Sequence, residues 1–133
     1  MEANATWKRE MVFDAISHSG HVIPLDGDAA QTHGASPMEM VLMALCGCTA
    51  IDVISILKKK REPFTGLTVS AVAGRAAEPP TVFTRVKLTY RVSGAVSRKA
   101  MEDAVHLSEA KYCSVGGMVS KTAEIEYEIE YAG

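Results

Sequence analysis

The sequence predicts an α+β protein in which antiparallel sheets pack around a long central helix and a second helix. Three observations carry this. Residues 40 to 57, "MVLMALCGCTAIDVISIL", form one apolar run without proline, as a central helix requires. Stretches at 67–74, 81–94 and 123–131 alternate with period two, as half-buried strands do. The elements arrive as strands, a long helix, strands, a helix and a last strand, which is the order of an α+β fold.

Taken in order, "TWKREMVFDAIS" reads as one strand built around Trp7 and Phe13. "HSG" supplies a turn, and "HVIPLDGD" reads as a second short strand whose Pro24 marks an edge, so the pair forms a hairpin. Before the long helix, Ser36 fits the N-cap, Pro37 the first helical position, and Glu39 lies three residues after the cap, where its carboxylate reaches back. The helix is expected from about Pro37 to Lys60, on the order of 35 Å long, with "KKKR" complementing its negative end. Pro63 stops it. "LTVSAVAG" and "TVFTRVKLTYRVSG" then make an antiparallel pair across "AAEPP", with Val82, Thr84, Val86, Leu88 and Tyr90 expected on one face. A second helix is expected from about Ser97 to Tyr112, with a stripe of Met101, Ala104, Val105 and Leu107. "SVGGMVSKT" adds a weak helical turn, weakened by Gly116 and Gly117. "AEIEYEIEY" closes the chain as a strand with an acidic solvated face.

The 133 residues predict a single domain over 1–133, large enough to bury a core. A net charge of -2 gives no basic surface for phosphates, which argues against nucleic acid as a partner. "MEANATWKREMVF" has no export signal, so three cysteines predict free thiols in the reducing cytoplasm. The long apolar run tempts a membrane assignment, but Asp52 sits inside it and Gly47, Thr49 and Ser55 dilute it. No membrane partner is expected. An all-round apolar helix is hard for one short chain to wrap, which predicts a homodimer.

Cys46 and Cys48 resemble a chelate only on paper. On a helix they point about 200° apart, and no second cysteine pair or His-x3-His follows, so no metal is expected. Buried cysteine is also ordinary core filling, and Cys46, between apolar neighbours, is read that way. His33 reads as a loop residue, and His106, one heptad before Cys113, either shares its face or is a plain helix histidine.

The strings "SPMEMVLMALCGCTAIDVISIL" and "LSEAKYCSVGGMVSKTAEIEYEIE" resemble the OsmC/Ohr family of thiol peroxidases, in its OsmC-like branch, and the resemblance covers nearly the whole chain. It implies an intertwined homodimer with sites at the subunit interface. It also implies Cys48 as the attacking thiol and Cys113, 65 residues later, as the resolving one. The implied reaction reduces organic hydroperoxides: Cys48 becomes a sulfenic acid, and Cys113 condenses with it to a disulfide. An external thiol, by analogy a dihydrolipoyl protein, then regenerates the pair, and no bound cofactor is called for.

The chain departs from the family at one point. The nucleophile must be a thiolate, and a free thiol of pKa ~8.5 needs a nearby cation. The family supplies an arginine from the N-terminal hairpin, held by a glutamate at the helix start. Here His18 or Ser19 stands where that arginine is expected, and Glu39 lies one position later than the family glutamate. His18, His21, Lys8, Arg9 and Arg75 are alternative cations, and Glu39 is either catalytic or simply the helix cap. Met38 and Met43, with Met40 and Met118, suit an apolar pocket for a hydrophobic hydroperoxide, with His18 beside it, although methionine also fills cores. The reading is therefore an organic hydroperoxide reductase acting in oxidative-stress defence. A non-enzymatic small-molecule or lipid binder, and a redox sensor on the same dimeric fold, are its alternatives.

Overall fold

The first expected strand folds back on itself. Ala3–Arg9 forms β1 and Val12–Ser17 forms β2, paired antiparallel with Trp7 opposite Phe13. The turn is set by Glu10, whose φ of 47° lies in the left-handed region, and by the Trp7 indole, which donates to the Glu10 carbonyl at 2.8 Å. The apolar residues Trp7, Met11 and Phe13 run straight through this turn, so periodicity alone reads one strand where there are two. The second turn falls where expected, and Val22–Asp26 forms β3, pairing antiparallel with β2. Pro24 lies on β3, an edge of the order β1-β2-β3, where a missing N–H does least harm.

The computed structural model describes residues 1–133, in two units, Met1–Met43 and Ala44–Gly133. In the first, Asp26 is buried and its carboxylate accepts from the Asp28 and His33 N–H groups at 2.8 and 3.1 Å, which fixes the loop leading to the long helix. That helix, α1, spans Pro37–Lys59 and begins with the expected capping box. Ser36 Oγ accepts from the Glu39 N–H at 3.2 Å, and Glu39 Oε1 accepts from the Ser36 N–H at 2.8 Å.

The second unit is built on a sheet of order β4-β5-β6. β4, Phe64–Arg75, and β5, Phe83–Gly94, are antiparallel, whereas β6, Glu124–Ala132, joins the far side of β5 in parallel. A parallel neighbour needs a crossover, and the second helix supplies it. α2 spans Arg98–Leu107, capped by Ser97, whose hydroxyl accepts from the Ala100 N–H at 3.1 Å. A π-helical turn, Ser108–Tyr112, continues it, and α3, Ser114–Val119, follows. The acidic face of β6 meets basic residues of β5, Glu128 with Lys87 at 3.5 Å and Glu130 with Arg91 at 3.7 Å. These exposed pairs add register more than stability.

The core of this unit comes from β5 (Val86, Leu88, Tyr90, Val92), α1 (Leu45, Val53, Leu57) and α2 (Met101, Ala104, Val105). Each fully buried Leu or Val contributes about 1.5–3 kcal/mol. The expected face of β5 needs one correction: Phe83 is buried and Thr84 exposed, because the pairing shifts between Gly74 and Arg75 and changes the face at the strand's start. α1 also differs from the all-round buried helix of the sequence reading. Only the stripe Leu45, Thr49, Val53 and Leu57 is buried, each four residues apart, while Ile51 is 71% exposed. The helix is long and apolar enough to cross a membrane, but its buried polar groups bond within the unit, as in a core helix.

Candidate functional site

Two thiols meet where α1 and the end of the π-helical turn adjoin. Cys48 lies on α1, half-buried, one position from the buried stripe. Cys113 is buried and stands at the N-cap of α3, where its Sγ accepts from the Gly116 N–H at 3.3 Å, as a serine oxygen does at other helix starts. Cys48 lies close enough to Cys113 to bear on its ionisation. Gly116 makes room for this: a Cβ there would stand 3.2 Å from Cys113 Sγ.

Burial pushes the Cys113 thiol up to about 12; the Gly116 N–H opposes this, while the Cys48 thiol and the negative charge of Asp52 add to it. Cys46 is half-buried, and burial raises its thiol as well, consistent with the packing role read from its neighbours.

Beneath the thiols runs a chain of polar side chains. Thr49 Oγ1 lies 2.7 Å from both Tyr90 OH and Ser108 Oγ. Ser108 Oγ lies 2.9 Å from Asp52 Oδ2, and Tyr90 OH lies 2.5 Å from Glu109 Oε1. Thr49, Tyr90 and Ser108 are fully buried. Burial and hydrogen bonding to Glu109 keep the Tyr90 phenol protonated far above its usual range, and burial raises the Glu109 carboxyl, which Tyr90 partly offsets. Glu109 and Cys113 open together into a cleft of about 510 Å³, whose wall also carries His106, Lys111 and Lys121.

The structure thus brings Cys113 and His106 to the wall of one cleft, with Cys48 near Cys113. Of the other sequence candidates, Arg75, bonded to Thr81, and the exposed Met118 lie in the second unit, and His18, Met38, Glu39 and Met43 lie in the first. His18 is exposed in the β2–β3 turn, which is closed by Ser17, Ser19 and His21, with Ser19 Oγ 3.0 Å from His21 Nδ1. Met38 is half-buried and Met43 is 56% exposed on α1, and Glu39 carries out its cap. Sequence reasoning missed Thr49, Tyr90, Ser108 and Glu109 as site residues, and used Asp52 only to argue against a membrane span. A carboxylate inside an apolar helix was the available signal, since it must find buried partners.

The site and fold define an α+β protein that places two cysteines, far apart in sequence, near one another and near a buried polar chain. Comparison with known proteins sharpens this. Residues 27–128 match the family model of OsmC-like proteins, and the chain belongs to the OsmC family. It is 41% identical to Protein YhfA of Escherichia coli over 131 residues, 98% of this chain and 97% of that protein. A hypothetical protein of Aquifex aeolicus superposes with a TM-score of 0.85 at 30% identity, over 99% of this chain and 97% of that one. The organic hydroperoxide resistance protein OhrB of Bacillus subtilis superposes with a TM-score of 0.65 at 14% identity, over 98% of each chain.

Proposed function

We propose that this protein is a thiol-dependent reductase of organic hydroperoxides in oxidative-stress defence, with Cys48 attacking and Cys113 resolving. The proximity of the two thiols carries this reading, because a sulfenic acid on Cys48 would form near its resolving partner. The division of roles follows from burial: a thiol held protonated is poor at the first attack and is well placed for the second. Membership of the OsmC family supports a redox role, and the shared fold with a hydroperoxide resistance protein is consistent with the substrate class.

The exposed apolar residues of α1, Val41, Met43 and Ile51, support a homodimer, since a second copy would cover them. The partner subunit is then the natural source of the cation that a thiolate nucleophile calls for. An external dithiol would reopen the disulfide, and the reducing cytoplasm is the setting proposed.

Stopped-flow oxidation of the reduced protein by cumene hydroperoxide and by hydrogen peroxide, followed by mass spectrometry of the thiols, tests the reading. Rapid formation of a Cys48–Cys113 disulfide is expected, faster with the organic peroxide, lost in Cys48→Ser and stalled at the sulfenic acid in Cys113→Ser. Oxidation no faster than that of a free thiol would remove the enzyme and leave a binder or a slow redox sensor.

A further inference from the structure

We propose that Glu109, Tyr90, Thr49, Ser108 and Asp52 share one proton beyond those of their three hydroxyls, and that Glu109, which lines the same cleft as Cys113, delivers it to the alkoxide released when Cys48, the neighbour of Cys113, cleaves a hydroperoxide. The second half rests on the peroxidase reading above; the first does not.

The argument is a count. Four contacts link the five side chains: Glu109–Tyr90, Tyr90–Thr49, Thr49–Ser108 and Ser108–Asp52, at 2.5 to 2.9 Å. Each needs a proton between its oxygens. A hydroxyl carries one proton, and an ionised carboxylate carries none. Tyr90, Thr49 and Ser108 therefore supply three protons for four bonds. With both carboxylates ionised, one contact would set lone pair against lone pair at hydrogen-bond distance, in a place where three of the five side chains are fully buried. No buried side-chain oxygen or nitrogen in the structure lacks a partner within hydrogen-bond distance. The fourth proton must sit on a carboxyl group.

Placed on Glu109, it sends every bond in one direction. Glu109 donates to Tyr90, Tyr90 to Thr49, Thr49 to Ser108, and Ser108 to Asp52. Shifting each proton one step reverses the chain and leaves the extra proton on Asp52. The five groups are thus a relay with two resting states. Its Asp52 end lies one helical turn from Cys48 and bears on Cys113; its Glu109 end opens into the cleft with Cys113.

The chemistry balances. The Cys48 thiolate attacks the terminal oxygen of ROOH, an S–O bond forms, the O–O bond breaks, and RO⁻ departs from Cys48–SOH. Glu109 turns its protonated oxygen from Tyr90 to the cleft, RO⁻ takes the proton and leaves as ROH, and Glu109, now a carboxylate, accepts from Tyr90. Cys113–SH then condenses with Cys48–SOH to the disulfide and water, and the cleft returns a proton to Glu109 from solvent. An alkoxide is a poor leaving group, so a positioned acid is worth about 100-fold or more. Glu109 is the catalytic residue in this scheme; Tyr90, Thr49, Ser108 and Asp52 position it.

A peroxycarboxylic acid expels a carboxylate, which needs no proton. Single-turnover oxidation of Cys48 should therefore fall about 100-fold or more in Glu109→Gln with cumene hydroperoxide, and stay within a few-fold of wild type with peracetic acid. Equal slowing with both, or with neither, overturns the general-acid role. The count is read separately by infrared spectroscopy of the reduced wild type labelled with 13C in its carboxyl side chains. A protonated-acid C=O band at neutral pH that Glu109→Gln abolishes is expected, since the glutamine amide can donate to Tyr90 in its place. A wild type with no such band, or a band that survives in Glu109→Gln, overturns the shared proton. A wild type that neither peroxide oxidises faster than a free thiol removes the peroxidase reading and the general-acid role with it, while the band still decides the count.

Discussion

Replacing Thr49 by valine keeps the shape of a fully buried side chain and deletes the one hydroxyl that joins Tyr90 to Ser108. Two contacts of 2.7 Å are lost, yet neither neighbour is orphaned: Tyr90 keeps Glu109 and Ser108 keeps Asp52. The cost is therefore two ordinary hydrogen bonds at about 1 kcal/mol each, without the larger penalty of an unpaired buried group. The added methyl returns up to about 0.8 kcal/mol, leaving a net loss of about 1–2 kcal/mol. For a chain of 133 residues the unfolding entropy scales so that this is a fall in Tm of about 4–7 °C. Calorimetry at one fixed protein concentration measures it, since self-association would otherwise shift Tm. The same variant bears on the proton count. With Thr49 gone, Tyr90 donates to Glu109 and Ser108 to Asp52, two protons serve two bonds, and both carboxylates are free to ionise. The protonated-acid infrared band should vanish. An unchanged Tm, or a band that persists, would refute the bonding described for Thr49.

The high pKa of Cys113 makes stability fall in alkali. The group contributes fully below the pKa of an unfolded thiol, ~8.5, and that contribution is lost as pH rises from there through about 12. Urea titrations across this window should show a steeper alkaline loss in wild type than in Cys113→Ser, and equal slopes would argue against the raised thiol. Gly94 has a φ of 100°, and a Cβ there would clash with the Pro63 carbonyl oxygen. Gly94→Ala is expected to cost about 2 kcal/mol or more, read as a lower denaturation midpoint with unchanged slope; a neutral result would contradict that backbone geometry.

Some of the site was legible in the sequence and some was not, for physical reasons. The capping box at Ser36 and Glu39 is local chemistry within four residues, and it forms as read. Cys48 and Cys113 were singled out by family resemblance, and the structure makes them neighbours. The turn at Glu10 was hidden because the apolar pattern is continuous across it. The parallel seat of β6 was hidden because alternation fixes which face of a strand is buried, not which neighbour it joins.

The sequence by itself determined most of the elements and their order: helix boundaries through caps and prolines, and strands through period-two alternation, the turn between β1 and β2 excepted. These depend on neighbours within one or two turns of chain. Only the tertiary structure decided that Thr49 on α1, Tyr90 on β5 and Ser108 on the π-helical turn share hydrogen bonds across 41 and 59 residues. It also decided that the carboxyls of Asp52 and Glu109 close the two ends of that chain. A hydroxyl or carboxyl on an otherwise apolar element announces that it needs a partner, and which partner it finds depends on how the elements pack.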